Sequence, residues 1–139
     1  MQNNILTINT DGGSRGNPGP AACAFVVGLD GKVLAEGSKY LGVATNNIAE
    51  YEGVLLATNW ILENKTKIAD REILFLLDSE LVVKQVSGIY KIKKSELQTL
   101  SLLIHKNINT AGIKIYFKNI PREQNKAADR LVNEELDRH

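Results

Sequence analysis

Hydrophobic and polar residues follow two different periods along this chain, and each change of period marks a change of predicted element. Residues 5–10 are rich in β-branched types and predict a strand that ends at Asp11. A second run of this kind, at 21–28, is followed by an Asp-Gly pair that favours a tight hairpin, and residues 33–41 predict the returning strand. We therefore expect the chain to open with three antiparallel strands.

The middle of the chain changes to a helical period. Apolar residues recur at spacings of three and four from Asn47 to Asn64 and predict a helix, with Thr45 or Asn46 as its N-cap. The continuous apolar run at 73–77 is short for a helix and favours a central strand that is covered on both faces.

Helical patterns dominate the remainder. Ser79 is placed to cap a helix that carries apolar residues at 81–89, and helical spacing resumes at 95–104. Residues 113–117 predict a fifth strand, and residues 125–137 predict a last helix. This order of elements indicates the α/β class, with a mixed sheet and helices on its faces.

Length and composition favour a single soluble domain that spans residues 1–139. Hydrophobic residues make up 43% and charged residues 24% of the chain, so neither a disordered nor a membrane protein is expected. The only cysteine, Cys23, excludes an internal disulfide and a thiolate metal cage. We expect a cytoplasmic monomer with no leader segment and no membrane contact.

The net charge of +1 gives no sign of a nucleic-acid partner when the chain is taken whole. Residues 84–118, however, contain seven lysines and one acid, a local charge of +6, and the rest of the chain carries −5. The near-neutral total is therefore consistent with a cation-binding cage and a phosphate-binding face whose charges cancel.

Four acidic residues occupy positions that a purely structural role does not predict. Asp11 and Asp78 follow predicted strands, where ligand sites of α/β sheets collect, although either could be only a turn or capping residue. Glu50 and Asp129 lie on the apolar faces of their helices, where an unpaired acid is rare. If the four meet, their repulsion requires protons or cations, and Mg²⁺ is the cation that best fits carboxylates, water and a phosphate.

A glycine-rich loop begins at the first of these acids. Residues 11–20 hold four of the 11 glycines and two of the three prolines. So few side chains allow another backbone to approach and leave N–H groups free for phosphate or hydroxyl oxygens. Taken alone, the loop could equally be an irregular turn.

Four motifs follow one another along the chain, at residues 10–20 (Thr-Asp-Gly-Gly-Ser-Arg-Gly-Asn-Pro-Gly-Pro), 45–50 (Thr-Asn-Asn-Ile-Ala-Glu), 78–79 (Asp-Ser) and 125–129 (Asn-Lys-Ala-Ala-Asp). In this order they resemble ribonuclease H type 1 over nearly the whole chain, in the short bacterial and archaeal form that lacks a basic protrusion. The resemblance implies the ribonuclease H-like fold, a five-stranded mixed sheet of three antiparallel and then two parallel strands with helices on both faces.

The resemblance also implies an activity, hydrolysis of the RNA strand of an RNA/DNA hybrid to give 5′-phosphate and 3′-hydroxyl ends. Two Mg²⁺ ions, or Mn²⁺ in their place, would be held by Asp11, Glu50, Asp78 and Asp129, with Asp11 shared between both ions. Asp129 would hold the water-activating ion, Glu50 and Asp78 would complete the second, and Glu50 would touch an RNA 2′-hydroxyl. The other implied contacts with the hybrid are made by Gly12, Gly13, Asn17, Asn46 and Asn47. Asn46 could also cap its helix, and Asn17 could shape the turn.

The chain departs from the family in the loop before the last helix, where many members carry a catalytic histidine. Residues 118–124 contain none, and the only histidines are His105 and His139. Arg122 or Glu123 would then occupy that neighbourhood. We favour Arg122, whose guanidinium can pair with a phosphate but cannot act as a general base near neutral pH. A surface ion pair is the simpler alternative.

A second departure concerns the region in which many relatives insert a basic protrusion. This chain has Lys91, Lys93 and Lys94 there, with Tyr90 beside them. We expect the lysines to contact the DNA strand, although a lysine cluster can also be a solvated face.

Two other interpretations of the site remain open. One is a metal-dependent nuclease of the same superfold that acts on DNA, and the spacing Asn-Asn-x-x-Glu together with the glycine-rich loop argues against it. The other is a protein without catalysis, either a hybrid-binding module or one that uses the acids for structural Ca²⁺, and the presence of all four acids argues against that.

Overall fold

The alternating and helical segments form one mixed sheet flanked by helices in the computed structural model of the chain, which describes residues 4–139. The strands are β1 (Ile5–Ser14), β2 (Gly19–Leu29), β3 (Lys32–Ala44), β4 (Glu72–Leu77) and β5 (Ile115–Asn119), and the helices are α1 (Asn46–Glu63), α2 (Glu80–Val86), α3 (Ser95–Ala111) and α4 (Lys126–Asp137). A short 3₁₀ turn, Arg122–Gln124, precedes α4. The predicted order of elements is confirmed.

The strands lie in the order β3-β2-β1-β4-β5. β1 pairs with β2 and β2 with β3 in antiparallel register, whereas β4 is parallel to both β1 and β5. Parallel neighbours need a crossover, and α2 with α3 supplies it between β4 and β5. The expected fold of three antiparallel and then two parallel strands is therefore confirmed.

Local signals determine two junctions in the first half of the chain. Asp30 and Gly31 both have positive φ, 51° and 80°, as the predicted two-residue hairpin turn requires. Of the two candidate caps of α1, Thr45 fills the role, because its side chain accepts a hydrogen bond from the backbone nitrogen of Ile48 at 3.2 Å.

The larger part of the core lies between the sheet and α1, α2 and α3. Leu6 and Ile8 of β1 belong to it, together with the apolar face of α1. α4 covers the opposite face of the sheet over β1, β2 and β3, with Val132 and Leu136 packed against β2. Helices therefore lie on both faces, as expected, and none in the described part of the chain is long and apolar enough to cross a membrane.

Three details of the predicted elements are corrected. β4 is fully buried only at alternate residues, because α4 lies over the first three strands and leaves the other face of β4 partly open. α2 ends at Val86, before Gly88 with its positive φ of 81°, so Ile89 lies outside the helix and is 68% exposed. β5 begins at Ile115, two residues later than predicted.

Candidate active site

A cavity of about 550 Å³ brings together residues that are far apart in the sequence. Its lining includes all four of the singled-out carboxylates, Asp11, Glu50, Asp78 and Asp129. The carboxylates come from β1, α1, the residue after β4, and α4. The four acids therefore line one cavity. Their mutual repulsion was expected to require protons or cations if they met in this way.

Asp11 lies within β1 and not after it, which corrects the predicted end of the strand. The parallel pairing of β1 with β4 stops at Asn9, whereas its antiparallel pairing with β2 continues to Ser14. One paired neighbour is enough to keep the strand extended. β1 therefore runs on past the end of β4, and Asp78, which follows β4, reaches the same cavity as Asp11.

Two glycines allow α1 to lie unusually close to β1 at the cavity. A Cβ added at Gly12 would be 2.1 Å from the carbonyl oxygen of Ala49, and one added at Gly53 would be 2.7 Å from that of Asp11. Such a contact is possible only without a side chain. The close approach places Glu50, the neighbour of Ala49, beside Asp11. Helix packing therefore requires that Gly12, which also lines the cavity, has no side chain.

Glu50 is held by one partner and keeps one oxygen free. The Ser79 hydroxyl donates a hydrogen bond to its carboxylate, whereas Oε2 is buried with no hydrogen-bond partner among the described residues. Burial raises the pKa of Glu50 to about 7, with a further contribution from the charge of Asp78, and the bond from Ser79 opposes the shift.

Of the carboxyl groups in the cavity, Asp11 has the most strongly raised pKa. Burial is the largest cause, and the nearby charge of Asp78 comes next, followed by those of Asp129 and Glu50. A hydrogen bond from the backbone of Gly12 offsets part of this effect, and the pKa is raised to about 8. Near neutral pH the cavity therefore needs either protons or positive charge.

The donor set fits a hard divalent cation. Within residues 4–139 no three acidic, histidine or cysteine side chains are grouped closely enough to hold an ion in their present positions. The cavity lining nevertheless includes four carboxylates, and one oxygen of Glu50 is buried without a partner. Mg²⁺ and Mn²⁺ prefer such oxygens to nitrogen or sulfur, and either ion would replace the protons that the raised pKa values retain.

The glycine-rich loop is tied to the start of α1 by a chain of hydrogen bonds. The backbone nitrogen and the hydroxyl of Ser14 donate to Oδ1 of Asn46 at 2.9 and 3.1 Å. The backbone nitrogen of Asn46 in turn donates to Oδ1 of Asn17 at 3.0 Å. Both side-chain oxygens are thus used within the protein, which leaves the amide NH₂ groups as the natural contacts for a ligand.

A second groove, of about 530 Å³, contains the predicted lysine cluster. Lys91, Lys93 and Lys94 line it together with Tyr90 and Asn47. Its apolar lining includes Leu81 and Ile89, which are exposed to solvent. Asn46 lines the cavity and its neighbour Asn47 lines the groove, so the first turn of α1 stands between the two.

Of the two loop residues expected near the site, Arg122 is the one that lies there. It is exposed on the 3₁₀ turn and lines the cavity, whereas Glu123 does not. Neither histidine lines the cavity. The ring of His139 stacks on Tyr40 with centroids 3.9 Å apart, and His105 contacts a carbonyl at the end of α2.

Six further cavity residues were not assigned to the site from the sequence, namely Ser14, Arg15, Ser79, Val132, Asn133 and Leu136. Arg15 donates to Asp137 at 2.7 Å, and Asn133 donates to the carbonyl oxygen of Asp129 at 3.0 Å. Asn133 follows Asp129 by four residues, and this spacing puts both on one helix face. The position of Asn133 at the site could therefore have been predicted from the sequence. No comparable local signal indicates Arg15.

Comparison with known proteins agrees with this geometry. The family model described as "Reverse transcriptase-like" matches residues 9–135. Ribonuclease HI of Halobacterium salinarum is 38% identical over 128 residues, which are 91% of this chain and 62% of that protein. The structure of LC11-RNase H1, isolated from compost, in complex with an RNA/DNA hybrid matches with a TM-score of 0.91 and 40% identity, and covers 96% of this chain and 97% of its own.

A longer relative shares the same segment. The bifunctional protein Rv2228c of Mycobacterium tuberculosis is 40% identical over 135 residues, which are 95% of this chain and 35% of that protein. The chain therefore spans about a third of the length of this curated relative.

Proposed function

Because the chain belongs to the ribonuclease H family, we propose that residues 1–139 form a catalytic domain that hydrolyses the RNA strand of RNA/DNA hybrids. The observation that carries the proposal is the cavity in which four carboxylates meet. Two of them, Asp11 and Glu50, have raised pKa values, as expected of groups that await a cation. The complex of LC11-RNase H1 with an RNA/DNA hybrid supports the choice of substrate.

The four carboxylates would hold two divalent ions, Mg²⁺ or Mn²⁺ in its place. When bound, such ions supply Lewis acidity and a water of lowered pKa at neutral pH. Asp11 would be shared by both ions, with Asp129 at the first and Glu50 and Asp78 at the second. The products would carry 5′-phosphate and 3′-hydroxyl ends, because the bond that breaks joins phosphorus to the 3′ oxygen.

Arg122 would bind the phosphate of the RNA strand. Its guanidinium is permanently charged and offers several N–H donors in a plane, which suits phosphate oxygens and excludes a role as general base. The exposure of Arg122 at the cavity supports this role over that of a surface ion pair. It would supply charge where many relatives have a histidine.

Asn17, Asn46 and Glu50 would distinguish RNA from DNA. The amide NH₂ groups of the two asparagines can donate to 2′-hydroxyl or base-edge oxygens, since their own oxygens are occupied within the protein. Glu50 lines the cavity, and its carboxylate can accept a hydrogen bond from a 2′-hydroxyl. DNA lacks this hydroxyl and would leave these polar groups unmatched in the complex.

The groove beside the cavity would receive the DNA strand. Its lysines, Lys91, Lys93 and Lys94, can neutralise phosphates, and Tyr90 and Ile89 offer an apolar surface to deoxyribose. With Asn46 on the cavity side and Asn47 on the groove side, the first turn of α1 would lie in the minor groove between the two strands.

Cleavage of a labelled RNA/DNA hybrid by the purified chain tests the proposal. With Mg²⁺ present, the RNA strand is expected to be cut to products with 5′-phosphate ends, and a DNA duplex of the same sequence is expected to stay intact. A chelator should abolish cleavage. Asp78→Asn should remove turnover while hybrid binding persists, because the fold is retained and one carboxylate of the metal site is lost.

Three outcomes would overturn the proposal. Equal cutting of the DNA duplex would indicate a DNA nuclease of the same superfold. Hybrid binding without cleavage at any concentration of Mg²⁺ or Mn²⁺ would indicate a binding module. Full activity of Asp78→Asn would remove Asp78 from the site.

A further inference from the structure

Asn125 is a fully buried polar residue that connects the start of α4 to β1. Its exposed fraction is 0%. Its Nδ2 donates to the carbonyl oxygen of Thr10 at 2.9 Å, and its Oδ1 accepts from Nδ2 of Asn9 at 3.0 Å. One side-chain amide is thus satisfied by two consecutive residues of β1, immediately before Asp11.

The distance from Asn9 to Asp11 along β1 is similar to the distance from Asn125 to Asp129 along α4. Asn9 and Asp11 are two residues apart in a strand, so they share a face and are separated by about 6.7 Å along it. Asn125 and Asp129 are four residues apart in the helical turn, a rise of about 6.0 Å. The backbone nitrogen of Asp129 donates to the carbonyl oxygen of Asn125 at 3.1 Å, so the turn between them is closed.

A third contact continues the same register along both elements. A Cβ added at Gly13, two residues beyond Asp11, would be 3.9 Å from Cγ1 of Val132, three residues beyond Asp129. The face of β1 that carries Asn9, Asp11 and Gly13 is therefore the face on which α4 packs. When Asn9 is paired with Asn125, Asp11 is brought opposite Asp129.

Two kinds of contact that α4 makes beyond Asn125 are poorly suited to set this register. Val132 and Leu136 pack through apolar contacts, which have no direction. The ion pair of Arg15 with Asp137 is exposed. The directional contacts between the start of α4 and β1 are therefore the two hydrogen bonds of Asn125, one from Asn9 and one to the carbonyl oxygen of Thr10. Ser38 of β3 also donates to Glu135 at 2.7 Å, but ten residues farther along the chain.

We propose that Asn9 and Asn125 are positioning residues, whose side-chain hydrogen bond sets the register of α4 on β1 so that Asp11 and Asp129 can hold a divalent cation together. The inference rests on the proposed function, because the register of α4 on β1 matters for the site only if the cavity binds a metal ion. It adds Asn9 to the residues on which the site depends.

Calorimetric titration of Asn9→Ala with Mg²⁺, without any nucleic acid, tests the proposal. We expect the Mg²⁺ dissociation constant to rise about tenfold, the lower end of the range for residues that orient metal ligands. On a hybrid at saturating Mg²⁺, kcat should fall while KM stays near that of the unaltered chain, because the substrate contacts are untouched. In the double variant with Asn125→Ala, the loss of Mg²⁺ affinity should not add to that of Asn125→Ala alone.

Asn107→Ala is the matched control. Asn107 also joins two elements through its amide, donating from α3 to Thr58 and Asn59 of α1 at 3.0 and 2.9 Å. It lies outside the cavity. Its replacement should lower the melting temperature and leave the Mg²⁺ dissociation constant unchanged.

The two proposals fail in different ways. If Asn9→Ala loses stability like Asn107→Ala but binds Mg²⁺ as the unaltered chain does, the positioning role is wrong and the proposed function stands. If the unaltered chain neither binds Mg²⁺ nor cleaves a hybrid, the proposed function is wrong and the positioning role falls with it.

Discussion

Arg122 and Lys94 carry the same charge in different surroundings. Arg122 lines the cavity that holds the four carboxylates, whereas Lys94 lines the groove on the other side of the first turn of α1. A cation next to the bond that breaks can stabilise charge that develops in the transition state, whereas a cation in the groove binds the ground state and the transition state equally.

We therefore expect Arg122→Ala and Lys94→Ala to change different kinetic constants. Arg122→Ala should lower kcat by about 100-fold, the range for loss of one electrostatic donor. Lys94→Ala should raise KM with little change in kcat. The slope of the logarithm of the binding constant against the logarithm of the salt concentration should become smaller by about one, because one phosphate contact is lost. Steady-state kinetics at about 50 and 200 mM salt measure both effects. The opposite pattern would mean that the two roles are exchanged.

At the scale of elements, the site depends on how closely α1 lies against β1. Gly12 and Gly13 are neighbours in β1, but they face opposite sides of the sheet. A Cβ at Gly12 would meet the backbone of Ala49 in α1, whereas a Cβ at Gly13 would meet only Val132 at an ordinary distance of 3.9 Å. The helix backbone cannot yield as a flexible side chain can.

Gly12→Ala is expected to lower the free energy of unfolding by about 2–3 kcal/mol, as overpacking does in well-packed cores. The corresponding fall in melting temperature is roughly 5–10 °C. Gly13→Ala should stay within about 0.5 kcal/mol of the unaltered chain, because the added methyl group has room. Urea unfolding of the two variants measures the difference, and equal losses would contradict the close contact between α1 and β1.

At the scale of the whole molecule, the distribution of charge links stability to pH and to divalent ions. Asp11 and Glu50 have pKa values raised to about 8 and about 7. Charged groups that line the same cavity are Asp78, Asp129, Arg15 and Arg122. A raised pKa means that the folded state binds protons more tightly than the unfolded state, so this contribution to stability is full below about pH 4 and is lost as the pH rises to about 8.

We therefore expect Mg²⁺ to raise the melting temperature more at about pH 8 than at about pH 5. At the lower pH, protons already neutralise the cavity, and at the higher pH the ion takes over that role. Thermal unfolding in Mg²⁺ and in chelator at both pH values measures the two shifts. A shift that is the same at both would argue against metal binding by Asp11 and Glu50.

Local sequence patterns were sufficient to predict the order of elements, the Asp-Gly hairpin, the cap at Ser79 and the four acids as candidates for one site. These are local properties. Periodicity and turn chemistry are carried by residues that are neighbours in the chain, and an acid on an apolar helix face, such as Glu50, is conspicuous wherever the helix packs. The family motifs added the expected roles of these acids, which the experiments above test.

The contacts between these elements could not be predicted from local patterns and follow from the packing of the folded chain. Asp11 was expected after its strand, but pairing with β2 alone extends β1 through Asp11 to Ser14. Gly53 and Asn9 carry no local signal of their contacts with Asp11 and Asn125. The reason is that such contacts join residues distant in sequence, and their distances are set by the packing of whole elements.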